Sequence, residues 1–107
     1  MKIIISGAVS NDSDYMEKFE YAEYKLRQKC PEAKVFNPAA YCDNLIKRRV
    51  IDSEKLSDKN IWLTCMLYCL TFFADATHIY YINDEYHSDG QHIEWHVAKH
   101  MGLEEIK

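Results

Sequence analysis

The sequence predicts an α/β domain with a small parallel sheet of about four strands and helices on its faces. Three observations carry that expectation. Short apolar runs at Lys2–Ser6, Lys34–Phe36 and His78–Ile82 read as strands. Segments with helical spacing of apolar residues separate them. Turn formers stand at the boundaries: Gly7, Asn37-Pro38 and Gly102. With 107 residues the chain is one domain, 1–107.

Taken in order, Lys2–Ser6 (KIIIS) is a buried strand closed by Gly7. Residues 8–14 are small and polar, which reads as a loop. Asp14 with Glu17 three on is a capping-type helix start. Tyr15, Phe19, Ala22 and Leu26 then share one face of a helix that ends near Lys29, before Pro31. Lys34–Phe36 is the second strand, closed by Asn37-Pro38. Residues 39–57 are basic in the middle (Lys47-Arg48-Arg49), with Leu45, Ile46, Val50 and Ile51 interspersed, and are expected to be a loop with a short helix. Connections of that length in small domains are often functional.

Ser57 or Asp58 caps the next helix, expected to run to about Phe73. Its apolar residues, among them Trp62, Leu63, Met66 and Leu67, lie on more than one side, so it is expected to pack on two faces. His78–Ile82 is the third strand. Ser88 with Gln91 forms a capping box, Ile93, Val97 and Met101 recur every fourth residue, and Gly102 stands at the stop. Leu103–Ile106 is a last short strand.

Composition narrows the function. Thirteen Lys and Arg against seventeen Asp and Glu give a net charge of −4, which argues against broad nucleic-acid binding. No apolar run approaches the roughly 18–20 residues of a membrane helix. MKIIISG is too short and too weakly charged for a signal peptide, so a cytoplasmic protein with no membrane partner is expected. Cys30, Cys42, Cys65 and Cys69 form no C-x-x-C pair, so the familiar zinc and redox spacings are missing. Cys65 and Cys69 are four apart on a helical pattern, where a disulfide would constrain almost nothing. The four read as reduced core or near-surface residues.

In parallel sheets ligands bind at the carboxyl ends of the strands. Loops 7–14, 37–41 and 83–90 therefore meet at one place. The densest constellation there runs from Asp84 to Glu94. Glu94 falls one turn into a helix, with Gly90 one turn before it on roughly the same side, which leaves room above the carboxylate. A carboxylate beside a vacant space suits a nucleophile for glycosyl transfer, while another acid protonates the leaving group. The plain alternative is a solvated glutamate favoured by the helix dipole. Asp84, Asp89 and His87 are the candidate acids. Ser6, Gly7 and Ser88 are candidates for holding a sugar or phosphate, and Ser88 serves equally as a helix cap. Asn37 and Gly90 complete the expected binding set. Tyr15, Tyr41 and Tyr86 lie in or beside these loops and could stack on a base or simply pack. His92, His96 and His100 share a helical stripe, but H-E-x-x-H is absent, so boundary or interface histidines are expected and neither a metal nor a cofactor is. Lys47-Arg48-Arg49 could meet a phosphate or form a solvated charge run.

The order of these motifs resembles a known family. Ile5-Ser6-Gly7 follows the first strand, Asn37-Pro38 the second, Trp62 and Met66 lie on the long helix, Ala74-Asp75 precede the third strand, and Ser88, Gly90, Glu94, Ala98 and Gly102 close the chain. This resembles the DUF4406 family of bacterial and phage proteins, which is similar to the nucleoside 2-deoxyribosyltransferases. The resemblance implies a three-layer, flavodoxin-like (Rossmann-like) sandwich and a nucleoside or nucleotide pocket at the strand ends. It also implies that Glu94, in the place of the transferases' G-x-x-x-E glutamate, is the nucleophile. The transferases complete their sites across subunit contacts, which implies a homo-oligomer, a dimer or larger, through the 58–73 helix. Ala8 stands where the family usually has proline, Glu85-Tyr86 where it has tryptophan, and Ser88 where the transferases carry an aspartate. The nucleophile position is kept while its partners differ. A nucleotide-binding or sequestering protein, or an interaction module with a vestigial pocket, is therefore the alternative to an N-glycosidic enzyme.

Overall fold

The computed structural model describes residues 1–8, 13–82 and 89–107, with Asp89 described by its backbone alone. The elements follow in the order β1 (Lys2–Ser6), α1 (Tyr15–Lys29), β2 (Lys34–Phe36), α2 (Pro38–Lys47), α3 (Asp58–Leu70), a 3₁₀ turn (Thr71–Asp75), β3 (His78–Tyr81), α4 (Asp89–Met101) and β4 (Glu104–Glu105). The four strands form one parallel sheet in the order β2-β1-β3-β4. The architecture is a three-layer α/β sandwich of the flavodoxin-like kind.

β1 is central, and its apolar run has a direct cause. A strand covered on both faces buries every side chain, and Ile3, Ile4 and Ile5 are fully buried. Ile3 and Ile5 meet Phe19, Ala22 and Leu26 of α1 on one face. Ile4 meets Phe73, Ile79 and Ala98 on the other. Each such isoleucine contributes about 2–3 kcal/mol of burial free energy. The register sets Ile4 opposite Phe36 of β2 and Ile79 of β3, which carries the apolar layer across the sheet.

Two elements differ in detail from the sequence expectation. Residues 39–57 hold the expected short helix and loop, but α2 begins directly after β2, at Pro38, and the loop is confined to 48–57. Asn37 caps it by accepting from the Ala40 N–H at 3.1 Å, and Pro38 occupies the first turn. Proline costs nothing there, because that N–H has no helical partner. α2 ends in a paired-carbonyl C-terminal motif, with Val50 N–H donating to Leu45 O and Arg49 N–H to Ile46 O. Arg49 takes the left-handed position, φ 58°, that glycine usually fills. α4 ends in the same motif with Gly102 at φ 71°. The second departure is α3, which stops at Leu70 and tightens into the 3₁₀ turn rather than continuing to Phe73. Ser57 is its cap, accepting from Asn60 N–H at 3.3 Å. Asp14 stands at the α1 cap position, but its side chain makes no capping bond.

α3 turns Met66 and Cys69 inward and leaves Leu63 and Leu67 exposed. Among the described residues, no helix is long and apolar enough to cross a membrane.

Candidate functional site

A cavity of about 310 Å³ opens beside the carboxyl ends of β1 and β2. Side chains from α1, α2, α3 and α4 wall it. Its position fits the topology: in the order β2-β1-β3-β4 the connections leaving β1 and β3 run to opposite sides of the sheet, and a crevice opens at the carboxyl ends of the strands.

Glu94 is the chemically distinctive residue of this wall. It lies on α4, one turn after Gly90, and is only 5% exposed. The hydroxyl of Ser6, the last residue of β1 and wholly buried, donates to Glu94 Oε1 at 3.1 Å. Burial pushes the Glu94 carboxyl up to about 8, and the Ser6 hydrogen bond opposes that only in part. Burial therefore favours the protonated form of Glu94 at neutral pH.

The two glycines set the space. A methyl group on Gly90 would stand 3.3 Å from Met66 Sδ and 3.7 Å from Trp62 Cζ2, so glycine keeps α4 close to α3 at the cavity. A methyl on Gly7 would stand 2.9 Å from Ile82 Cδ1 and 3.2 Å from Phe19 Cζ. A larger residue there would require the Ile82 and Phe19 side chains to shift.

Of the residues expected from the sequence, Ser6, Gly7, Gly90 and Glu94 come together here. Asn37 does not join them. Its oxygen caps α2, and its Nδ2 donates to Glu23 Oε1 at 3.1 Å, so both polar ends serve the fold. Asp84, Tyr86, His87 and Ser88 lie outside the described residues, as does the side chain of Asp89. Tyr15 lines the cavity. Tyr41 instead packs edge-on against Phe72, with ring centroids 4.9 Å apart.

The structure adds residues that spacing alone did not single out as site residues. Asp43 of α2 and Asp58 of α3 bring two more carboxyls to the lining, and Trp62 and Met66 form an apolar surface between them and Glu94's helix. Among the described residues the lining contains three carboxyls and no Lys, Arg or His. Lys47, one turn from Asp43, pairs with it at 2.8 Å. The capping signature Asn-Pro, which starts α2, was the signal that could have placed Asp43 on a helix facing the site. His92, His96 and His100 are exposed on α4, and among the described residues no cluster of metal-ligating side chains is placed to hold an ion.

No curated protein and no solved structure matches the chain. The model of one protein family, a domain of unknown function, matches residues 1–106. The chain, with its β1–Gly7 turn and its Gly90–Glu94 helix start, thus belongs to the DUF4406 family.

Proposed function

We propose that the cavity binds a nucleoside and that the protein cleaves or transfers its N-glycosidic bond, with Glu94 as the nucleophile. The observation that carries this reading is a carboxyl group buried at a ligand-sized cavity and held there by the Ser6 hydroxyl. A buried acid at the wall of a cleft marks a candidate functional group. The resemblance to the nucleoside 2-deoxyribosyltransferases supports the same reading.

The chemistry is a double displacement. A Glu94 carboxylate oxygen bonds to C1′ of the sugar, and the C1′–N bond breaks with its electron pair leaving on the base. The base takes a proton from an acid, for which Asp84, Asp89 and His87 are the candidates. Water or a second base then takes the sugar from Glu94. Positive charge developing at C1′ favours the ionised glutamate that burial alone disfavours. The lining favours a neutral nucleoside over a phosphorylated one, since Asp58 adds negative charge there and none of its described side chains is cationic. Trp62 and Tyr15 offer faces on which a base can stack. On this reading the protein works as a homo-oligomer, dimer or larger, whose second copy covers Leu63 and Leu67.

The second reading is a nucleoside-binding protein without turnover. The protonated state of Glu94 favours it, because a neutral carboxyl donates and accepts hydrogen bonds but does not attack carbon. Incubation with a panel of deoxynucleosides, followed by chromatography of free base, separates the two. Base release that disappears in Glu94→Ala supports the enzyme. A raised melting temperature with one nucleoside, and no release, supports the binder. Release that persists unchanged in Glu94→Ala would sink the nucleophile assignment.

A further inference from the structure

Three thiols in the cavity wall take no part in glycosyl chemistry. Cys42 comes from α2, and Cys65 and Cys69 come from α3. All are free. Cys42 Sγ and Cys69 Sγ stand 3.4 Å apart although the residues are 27 positions apart in sequence. Cys42 Sγ also reaches the carbonyl oxygen of Cys65 at 3.8 Å. Cys69 is 4% exposed, so the cavity is its route to small solutes.

We propose that Cys42 and Cys69 are a redox pair, and that hydrogen peroxide entering the cavity converts them to an intramolecular disulfide tying α2 to α3. The step balances. One thiol, as thiolate, attacks a peroxide oxygen and becomes a sulfenic acid, while the second oxygen leaves as water with the thiol proton. The other sulfur attacks the sulfenic sulfur, and the S–OH oxygen departs as a second water carrying the remaining thiol proton. Two thiols are oxidised by two electrons in all, and one peroxide is reduced to two waters.

The geometry favours this pair over the alternatives. The sulfurs come from different helices and already touch, so bonding at about 2.05 Å needs a shift of little more than 1 Å. Cys65 and Cys69 lie on one helix, and their union would cross-link nothing. The hydrogen bond with Cys69 and burial push the Cys42 thiol well up from its ordinary value, so the thiolate that attacks peroxide is a minor species at neutral pH and oxidation quickens as pH rises. The resting pair is therefore a hydrogen-bonded pair of thiols, stable until an oxidant arrives.

The test is treatment of the purified full chain with hydrogen peroxide at neutral pH, then alkylation of remaining thiols, intact-mass measurement and peptide mapping. The expected result is the loss of two hydrogens, a Cys42–Cys69 cross-linked peptide, and Cys65 alkylated. Cys65→Ser should retain the cross-link, and Cys69→Ser should lose it. The bridge closes a loop between two helices, so the oxidised protein should melt at least about 5 °C higher than the reduced one. A cross-link through Cys65, isolated sulfenic or sulfinic acids without a bridge, or an intermolecular disulfide would each overturn the proposal. The mapping of the unsubstituted protein decides the matter even if a variant fails to fold.

Discussion

Replacing Glu94 with Gln is expected to shift the stability difference in the variant's favour by an amount that grows with pH. The native carboxyl is raised from the usual 4.5 to about 8 by burial. Below about pH 4.5 the folded and unfolded chains both hold the proton, and the carboxyl brings no pH-dependent cost. Between about pH 4.5 and pH 8 the unfolded chain releases a proton that the native chain keeps, so stability falls as pH rises. Above about pH 8 both are ionised and the loss levels off. With these two values the cost grows by about 3 kcal/mol between about pH 5 and pH 8. Glutamine has the same shape and can still accept from Ser6, but it does not titrate. Its amide protons add a constant offset of about 1–3 kcal/mol if they find no acceptor. The readout is therefore the change in the stability difference, from urea unfolding of both proteins at a series of pH values. Titration of every other group is common to the two and cancels. A difference that stays flat from about pH 5 to pH 8 would show that Glu94 is not a buried, uncompensated acid, and would refute the reasoning.

Three other outcomes follow from the same contacts. Ser6→Ala removes the donor to Glu94 Oε1, so the carboxyl should titrate still higher by NMR and stability should drop by about 1 kcal/mol; an unchanged or lowered titration would contradict the geometry. Arg49→Gly relieves a side chain from the left-handed position that closes α2 and should raise stability by about 0.5–1 kcal/mol, measured by urea unfolding. Leu67 is 57% exposed on the outer face of α3. Light scattering should find a dimer or larger at micromolar concentration, and Leu67→Glu should shift it toward monomer; a monomeric unsubstituted protein would contradict the proposed contact.

The strands were legible because their causes are local. Lys2–Ser6 and Lys34–Phe36 match the observed bounds, since an unbroken apolar run beside Gly7 or Asn37-Pro38 has few other places to go in an α/β chain. His78–Ile82 and Leu103–Ile106 were placed to within a residue or so at each end. α2 was harder to see. Its hydrophobic stripe is short, and the basic run at its end obscured a helix that Asn37 and Pro38 nonetheless start. The 3₁₀ turn after Leu70 depends on how the chain must turn to reach β3, which residue spacing does not encode. At the site, the relation of Gly90 to Glu94 was readable as one helical turn, and Ser6 as the end of β1. That the two side chains meet was not readable, because the contact spans 88 positions. Asp43, Asp58 and the thiols of α2 and α3 reach the cavity only through the packing of one helix on another. Asn37 shows the opposite failure, a polar residue at the right end of the right strand whose bonds are consumed by a helix cap and Glu23.

The central claim is that Glu94 takes the sugar. The most direct measurement is rapid acid quenching of the protein with a deoxynucleoside, followed by intact mass and peptide mapping. The account predicts a deoxyribosyl group in ester linkage on Glu94, absent from Glu94→Gln. Base released with Glu94 unmodified at every quench time, or an adduct on a different residue, would contradict it.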